Sequence, residues 1–290
     1  EEKITKLTAW LLNSKIGKLV GQKKVQKMKG KMILRAYGDS WTEGQGAYVK
    51  KEKELLARND IRKFRNEYSW VKLLSDKLEI ENVNNGLSGQ SNLKIFNDVV
   101  TDIMNGVISN NDLVIILWSS SLRDNVPFLP NNEWLSWSIK QLFETSKDGF
   151  IKSYKSDNKT YDNFLQGFKE FFVTELFNQN YYNIVNQNYI IFLQKLLENY
   201  QIKYLMCDAF ENMVNDLHPK DDVTKHINRK AYWKFGEKCF KEVLLETKLD
   251  DVWEPIEISK QDIGGIHPND KGYEIIMEEI YNYLIKENYV

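Results

Sequence analysis

The sequence contains few of the residues that mark several large classes of protein. Its 290 residues include only two cysteines, five prolines and three histidines. Two cysteines exclude a scaffold held by several disulfides and a cysteine-rich zinc site, and the few prolines with 13% aromatic residues exclude a disordered chain. No apolar run approaches the roughly 20 residues that a membrane-spanning helix needs. We therefore expect a soluble globular protein.

Net charge is also lacking, but the charges are unevenly distributed. Lysine and arginine number 40 against 41 aspartates and glutamates, which excludes a nucleic-acid-binding polyelectrolyte. Residues 1–31 hold nine lysines and two glutamates, and their apolar residues recur at helical spacings. We predict a basic amphipathic helix over residues 1–30. It either contacts an anionic membrane or a partner protein or packs on its own domain.

Residues 31–290 alternate short apolar runs with segments of helical length. The predicted strands are 32–37, 80–85, 113–118 and 203–207, and the predicted helices are 69–78, 91–108 and 269–285. Strands separated by helices indicate parallel βαβ units with right-handed crossovers. The predicted fold class is α/β.

One long segment interrupts this alternation. Residues 125–200 are rich in aromatic side chains and give few strand signals. A connection of this length normally carries secondary structure of its own. We predict a helical, aromatic-rich insertion, which either caps the functional site or adds to the core.

Three polar segments lie where doubly wound sheets place their sites, at strand ends and before a helix. Gly-Asp-Ser at 38–40 follows the first predicted strand, and a glycine-containing segment at 84–92 follows the second. The third segment, 262–270, contains His267. A serine at such a turn can be a nucleophile, glycines let main-chain N–H groups approach a ligand, and histidine can act as a general base.

Taken together, the three segments resemble the sequence blocks of the GDSL/SGNH hydrolase superfamily of esterases and lipases. The Gly-Asp-Ser sequence ending at Ser40, the glycine Gly89 and the His-Pro-Asn sequence starting at His267 match those blocks. The resemblance covers about residues 32–124 and 203–290 and leaves the insertion unmatched. It implies a hydrolase domain over 31–290 with a three-layer, doubly wound, flavodoxin-like parallel sheet. It also implies ester chemistry without a metal or an organic cofactor.

Two positions depart from the family pattern. After the third strand the family has Gly-x-Asn-Asp, whereas this chain has three serines at 119–121, of which Ser121 lies nearest the missing asparagine. The family aspartate lies three residues before the histidine, whereas Asp262 lies five residues before His267. Either Asp262 completes a Ser-His-Asp triad, or Ser40 and His267 act as a dyad with a backbone carbonyl orienting the ring.

The resemblance implies a serine nucleophile and a histidine base. Ser40 would form the acyl-enzyme, with His267 as its general base. The main-chain N–H groups of Ser40 and Gly89 and the hydroxyl of Ser121 would bind the oxyanion. The candidate substrate contacts are Trp41, Asn92 and Arg123. Tryptophan side chains can line a sugar or acyl site, or they can pack in the core. The candidates are Trp41, Trp118, Trp134 and Trp137. Of these, we expect Trp118 to pack in the core.

The expected function is a serine esterase that removes an O-acyl group, such as acetyl, from a carbohydrate or glycoconjugate. An O-acyltransferase would use the same serine and histidine, and a non-catalytic glycan-binding module would account for the two departures. The remaining histidines, His218 and His226, with Asp221 and Asp222, are predicted to lie on a surface loop and not to form a metal site. No metal ligand set is predicted, and the paucity of cysteine favours the cytoplasm.

Overall fold

The structure is a computed structural model that describes most of the chain. The described residues are 31–47, 61–128, 133–138, 167, 171, 178–212, 223–247, 252–253 and 267–290. They belong to one unit, Lys31–Val290. The predicted helix over 1–30 lies outside the described residues, as do Asp262, His218, Asp221 and Asp222. So do the side chains of Trp134 and Trp137.

Six strands and seven α-helices are described. The strands are β1 (Ile33–Tyr37), β2 (Glu81–Asn84), β3 (Leu113–Trp118), β4 (Arg123–Phe128), β5 (Glu133–Ser138) and β6 (Lys203–Asp208). The helices are α1 (Ser40–Glu43), α2 (Ile61–Tyr68), α3 (Trp70–Lys77), α4 (Asn92–Met104), α5 (Gln179–Asn199), α6 (Phe240–Glu246) and α7 (Asp270–Lys286). Two short 3₁₀ turns, Thr224–His226 and Arg229–Ala231, separate β6 from α6.

The main sheet is parallel, with the strand order β2-β1-β3-β6. In β1, Leu34 pairs with Asn82 of β2 on one side and with Leu113 of β3 on the other. Because the strands are parallel, their carboxyl ends share one edge of the sheet. The segments that follow β1, β2 and β3 are therefore brought together at that edge.

Helices cover both faces of the sheet, which explains why β3 is apolar at every position. Leu113, Ile115 and Leu117 belong to a core cluster on one face, with residues of α3 and α7. Val114, Ile116 and Trp118 belong to a second cluster with residues of α4 and α5. The period of two along the strand thus divides one apolar run between two cores. The prediction of a three-layer α/β fold is confirmed.

The structure differs from the sequence prediction at the start of the aromatic-rich insertion. Over 125–200 only helices were expected, but β4 and β5 form an antiparallel hairpin in which Val126 pairs with Leu135. Pro127 lacks the N–H group that a helix interior requires, which disfavours a helix at this position. The end of the insertion is helical, as predicted, and forms α5.

Among the described residues, no helix combines the length and the apolar character of a membrane span.

We predict that the central strand contributes most to stability. Replacing Ile115, which is fully buried, with alanine should lower the free energy of unfolding by about 2–5 kcal/mol, because the cavity cannot be filled by neighbouring strands. The matched control, Ile285→Ala on the exposed side of α7, should cost less than about 1 kcal/mol. Urea denaturation measures both values, and similar losses for the two variants would contradict the assignment of the core.

Candidate active site

The turn after β1 places Ser40 at the first position of α1. The Asp39 side chain caps this helix, because its Oδ1 accepts a hydrogen bond from the Trp41 backbone N–H at 3.0 Å. Gly38 must be a glycine, since a Cβ atom there would lie 2.8 Å from the Leu117 carbonyl oxygen. In the described part of the chain, no atom accepts a hydrogen bond from the Ser40 backbone N–H. The use of this N–H group as an oxyanion donor stays a prediction.

The segment before α7 brings His267 to the same place. Pro268 forms an isolated antiparallel bridge with Trp253, and the Asn269 side chain caps α7 by accepting from the Gly272 N–H at 3.2 Å. These contacts fix the backbone of the two residues that follow His267. As a result, His267 Nε2 lies 3.1 Å from Ser40 Oγ, with both side chains at least 95% buried.

This distance permits a direct proton transfer between the two groups. A neutral imidazole with its lone pair on Nε2 can accept the hydroxyl proton and so activate the oxygen as a nucleophile. Asp262, which was predicted to orient the ring, lies outside the described residues, so the triad stays a prediction. The structure places Ser40 and His267 together as the sequence motifs indicate.

The cysteine thiols are not alternative nucleophiles. Cys207 and Cys239 are both free and buried. Burial raises the pKa of the Cys239 thiol to about 12 and holds the pKa of Cys207 well above its ordinary value. A thiol is nucleophilic only as the thiolate, so neither group is active near neutral pH.

The loop between β2 and α4 carries Gly89 in a left-handed conformation, with φ near 81°. Among the described residues, none has an atom within 4 Å of the position that a Cβ atom would occupy there. Ser91 then caps α4, accepting from the Lys94 N–H at 3.3 Å. A glycine at an open turn suits close approach by a ligand. Its use as an oxyanion donor stays a prediction.

The three serines after β3 do not replace the missing asparagine. Ser119 Oγ donates to Asp39 Oδ2 at 2.7 Å. The hydroxyls of Ser120 and Ser121 donate to Glu211 Oε1 at 3.1 and 2.5 Å, and the Ser121 backbone N–H adds a third bond of 2.6 Å to the same oxygen. A hydroxyl has only one proton to donate. The predicted use of the Ser121 hydroxyl as an oxyanion donor is therefore corrected.

Two of the three predicted substrate contacts are core residues. Trp41 is 1% exposed and packs its ring edge against Phe210 at 4.8 Å between centroids. Asn92 is equally buried; its Oδ1 accepts from the Ser119 N–H at 2.8 Å, and its Nδ2 donates to Asn186 Oδ1 at 2.8 Å. Both side chains stabilise the fold around the site, and their contact with a substrate stays a prediction. Trp118 is buried in the core, as expected.

The third predicted substrate contact, Arg123, lies beside the nucleophile turn. Its Nη1 donates to Asp39 Oδ2 at 2.8 Å, and its guanidinium lies 5.7 Å from the ring centroid of Phe210. Asp39 immediately precedes Ser40, and Phe210 packs on Trp41, which immediately follows it. The cation is thus in contact with groups on both sides of the proposed nucleophile.

Two acidic residues near the site were not found by sequence reasoning. Glu211 follows β6 and fixes the serine segment, and Glu43 lies one helical turn after Ser40. Neither belongs to a recognisable motif, although the position of Glu43 on the nucleophile helix was a usable signal. The described His226 is exposed in a 3₁₀ turn. Over the described ranges, no three histidine, cysteine or acidic residues are arranged to hold a metal ion.

The chain has little similarity in sequence to known proteins. No protein-family model matches the sequence, and no curated protein is significantly similar to it. Solved structures that are similar to the chain, with TM-scores below 0.5, include GDSL-family proteins.

Three solved structures illustrate the similarity. A G-D-S-L family protein from Desulfitobacterium hafniense, described as lipolytic, is 15% identical, covers 88% of this chain and 100% of its own, and has a TM-score of 0.44. A member of the lipolytic G-D-S-L family from Veillonella parvula is 12% identical, with coverages of 88% and 97% and a TM-score of 0.37. The acetyl xylan esterase AlAXEase is 13% identical, with coverages of 86% and 98% and a TM-score of 0.33. The assignment of the site rests on the contacts of Ser40 and His267.

The ion pair between Arg123 and Asp39 should be important for stability. Arg123→Met leaves the carboxylate of Asp39, which is fully buried, without its cation, and we expect a loss of about 3–5 kcal/mol in the free energy of unfolding. The control is Lys31→Met, which breaks an exposed pair with Glu81 and should cost about 0–1 kcal/mol. Urea denaturation of both variants checks this, and equal losses would contradict it.

Proposed function

We propose that this protein is a serine esterase in which Ser40 forms an acyl-enzyme and His267 is the general base. The observation that carries the proposal is the 3.1 Å contact between His267 Nε2 and Ser40 Oγ at the carboxyl edge of the sheet. The two residues are 227 positions apart in the sequence, so the fold brings them together. The position of Ser40 at the start of α1, directly after β1, supports the same conclusion.

The proposed reaction has two acyl-transfer steps. Ser40 Oγ attacks the ester carbonyl carbon while its proton passes to His267 Nε2. The tetrahedral oxyanion accepts hydrogen bonds from the backbone N–H groups of Ser40 and Gly89. When the intermediate collapses, His267 returns the proton to the leaving alcohol, and the acyl group stays on Ser40. Water then attacks the acyl-enzyme through the same base, which releases the acid and restores the serine.

Arg123 is the proposed polar contact for the substrate. The serine hydroxyls after β3 are committed to carboxylates, so they do not complete the oxyanion site. The guanidinium has five N–H donors, and within the described chain only Asp39 accepts from them. The remaining donors suit a carbonyl, phosphate or carboxylate oxygen of a bound ester.

The substrate that we propose is an O-acyl ester, with acetyl as the candidate acyl group, on a carbohydrate or glycoconjugate. This choice rests on the resemblance of the sequence blocks to the GDSL/SGNH superfamily. An O-acyltransferase would follow the same first step and differ only in the acceptor, because a sugar hydroxyl would replace water. The two functions are distinguished by the products formed when an acceptor sugar is present.

One observation favours a different class of function. The side-chain oxyanion donor of the family is missing, and the serine nearest its place, Ser121, donates to Glu211 instead. Loss of one oxyanion donor typically lowers kcat by about 10²–10³-fold. A glycan-binding module without turnover is therefore the second candidate. It would bind glycan equally well with Ser40 replaced by alanine.

Hydrolysis of p-nitrophenyl acetate tests the proposed function. Ser40→Ala and His267→Ala should each lower kcat by about 10⁴-fold or more, because neither group can act without the other. The control His226→Ala changes an exposed histidine and should keep the parent activity. A folded parent without turnover would move the assignment to the binding module. Mass spectrometry of the products then identifies the acceptor: transfer of the acetyl group to water gives acetate, and transfer to an added sugar gives an acetylated sugar.

A further inference from the structure

A buried carboxylate connects the nucleophile helix to the loop that carries Gly89. Glu43 ends α1, one helical turn after Ser40, and its side chain is almost fully buried. The proposed acyl-transfer steps do not use this group. A buried charge costs stability unless donors surround it, so its partners indicate what it does.

The partners of Glu43 are on the Gly89 loop and on α2. Its Oε2 accepts hydrogen bonds from both the backbone N–H of Ser88, at 2.7 Å, and the Ser88 hydroxyl. Its Oε1 lies 3.6 Å from Nη1 of Arg65, whose side chain is largely buried. The same Arg65 nitrogen donates to Ser88 Oγ at 3.3 Å. Glu43 therefore holds Ser88 by two bonds and is itself held by a cation.

The rest of the loop lies equally close to α1. The Leu87 backbone N–H donates to the Gly38 carbonyl oxygen at 3.1 Å. A Cβ atom on Gly86 would lie 2.4 Å from the Glu43 backbone nitrogen, so only glycine allows this approach. These contacts place the loop against the helix immediately before Ser88.

Ser88 determines the direction of the Gly89 N–H group. That N–H belongs to the planar peptide unit that begins at the Ser88 Cα atom. The bonds to the backbone nitrogen and the hydroxyl of Ser88 fix the direction of its Cα–C bond. Rotation about that bond is restricted because the Gln90 N–H donates to the Leu87 carbonyl oxygen at 3.1 Å and closes a turn around the peptide unit that follows Ser88. The left-handed φ of Gly89 belongs to this turn, so the Ser88 anchor and the turn together direct the Gly89 N–H group.

We propose that Glu43 is a positioning residue that sets the oxyanion donor Gly89 relative to the nucleophile Ser40. The inference rests on the proposed esterase function. One four-residue helix carries the nucleophile at its first residue and the anchor of the oxyanion loop at its last. The two parts of the site therefore move together.

A carboxylate suits this position better than an amide. One carboxylate oxygen can accept two donors from Ser88 while the other faces Arg65. A glutamine could keep the Ser88 bonds through its carbonyl oxygen. Its NH₂ group would then face the Arg65 cation, and the two groups could not bond because both are donors. We therefore expect Glu43→Gln to be impaired and Glu43→Ala to be impaired further.

The experiment compares Glu43→Gln and Glu43→Ala with a matched control, Asp112→Asn. Asp112 is also a buried carboxylate that accepts from a backbone N–H, that of Ser109, and pairs with an arginine, Arg35 at 2.9 Å. It precedes β3, at the opposite edge of the sheet from the site. Turnover of p-nitrophenyl acetate is measured where circular dichroism shows each variant to be folded. Affinity for an alkyl boronic acid, which mimics the tetrahedral intermediate, is measured alongside.

Glu43→Ala should lower kcat by about 100-fold with KM nearly unchanged, because the displaced donor acts in the transition state. Affinity for the boronic acid should fall in parallel. Asp112→Asn should lose stability but keep the parent kcat. If Glu43→Ala does not fold, Glu43→Gln and Ser88→Ala give the same comparison with smaller changes.

Three results would overturn the inference. Glu43 variants that keep the parent kcat, or that behave like Asp112→Asn, exclude a positioning role while leaving the esterase intact. A kcat loss without a loss of boronic acid affinity excludes the oxyanion donor as the group that is positioned. A folded parent with no turnover contradicts the proposed function itself, and the inference is then overturned with it.

Discussion

The carboxylate of Asp39 is fully buried immediately before Ser40, and donors from three segments of the chain stabilise its charge. The Trp41 backbone N–H comes from α1, the Ser119 hydroxyl from the segment after β3, and the guanidinium of Arg123 from the start of β4. Because an unpaired buried charge is costly, the folded chain needs donors from all three segments around this carboxylate. They fix the turn that presents Ser40, and the position of every other group of the site is defined relative to that turn.

Two other carboxylates around the site also accept several hydrogen bonds each. The segments that follow parallel strands leave the sheet and lose their ladder partners, so their polar groups need other acceptors. Glu43 accepts from Ser88, and Glu211 accepts from Ser120 and Ser121. Each carboxylate thus holds a loop after one strand by accepting several donors at a single oxygen. This arrangement gives a polar, preorganised edge above an apolar three-layer core.

The parts of the site that follow local rules were predictable from the sequence. Gly-Asp-Ser after an apolar strand and His-Pro-Asn before a helix locate Ser40 and His267, although 227 positions separate them. The identity of the acceptor for each hydroxyl was not predictable, because the bond of Ser121 depends on Glu211, 90 residues away. The burial of Trp41 likewise depends on Phe210. Aromatic content predicts a helical insertion at the position of the hairpin β4–β5, whereas Pro127 in β4 disfavours a helix there.

The proposed mechanism requires that Ser40 is an activated nucleophile with His267 as its base. Reaction with a fluorophosphonate, followed by peptide mapping with tandem mass spectrometry, tests it most directly. We expect a single phosphonyl adduct, located on Ser40, which is absent from His267→Ala although that variant keeps the serine. An adduct on another residue, or equal labelling of Ser40 with and without His267, would contradict the account.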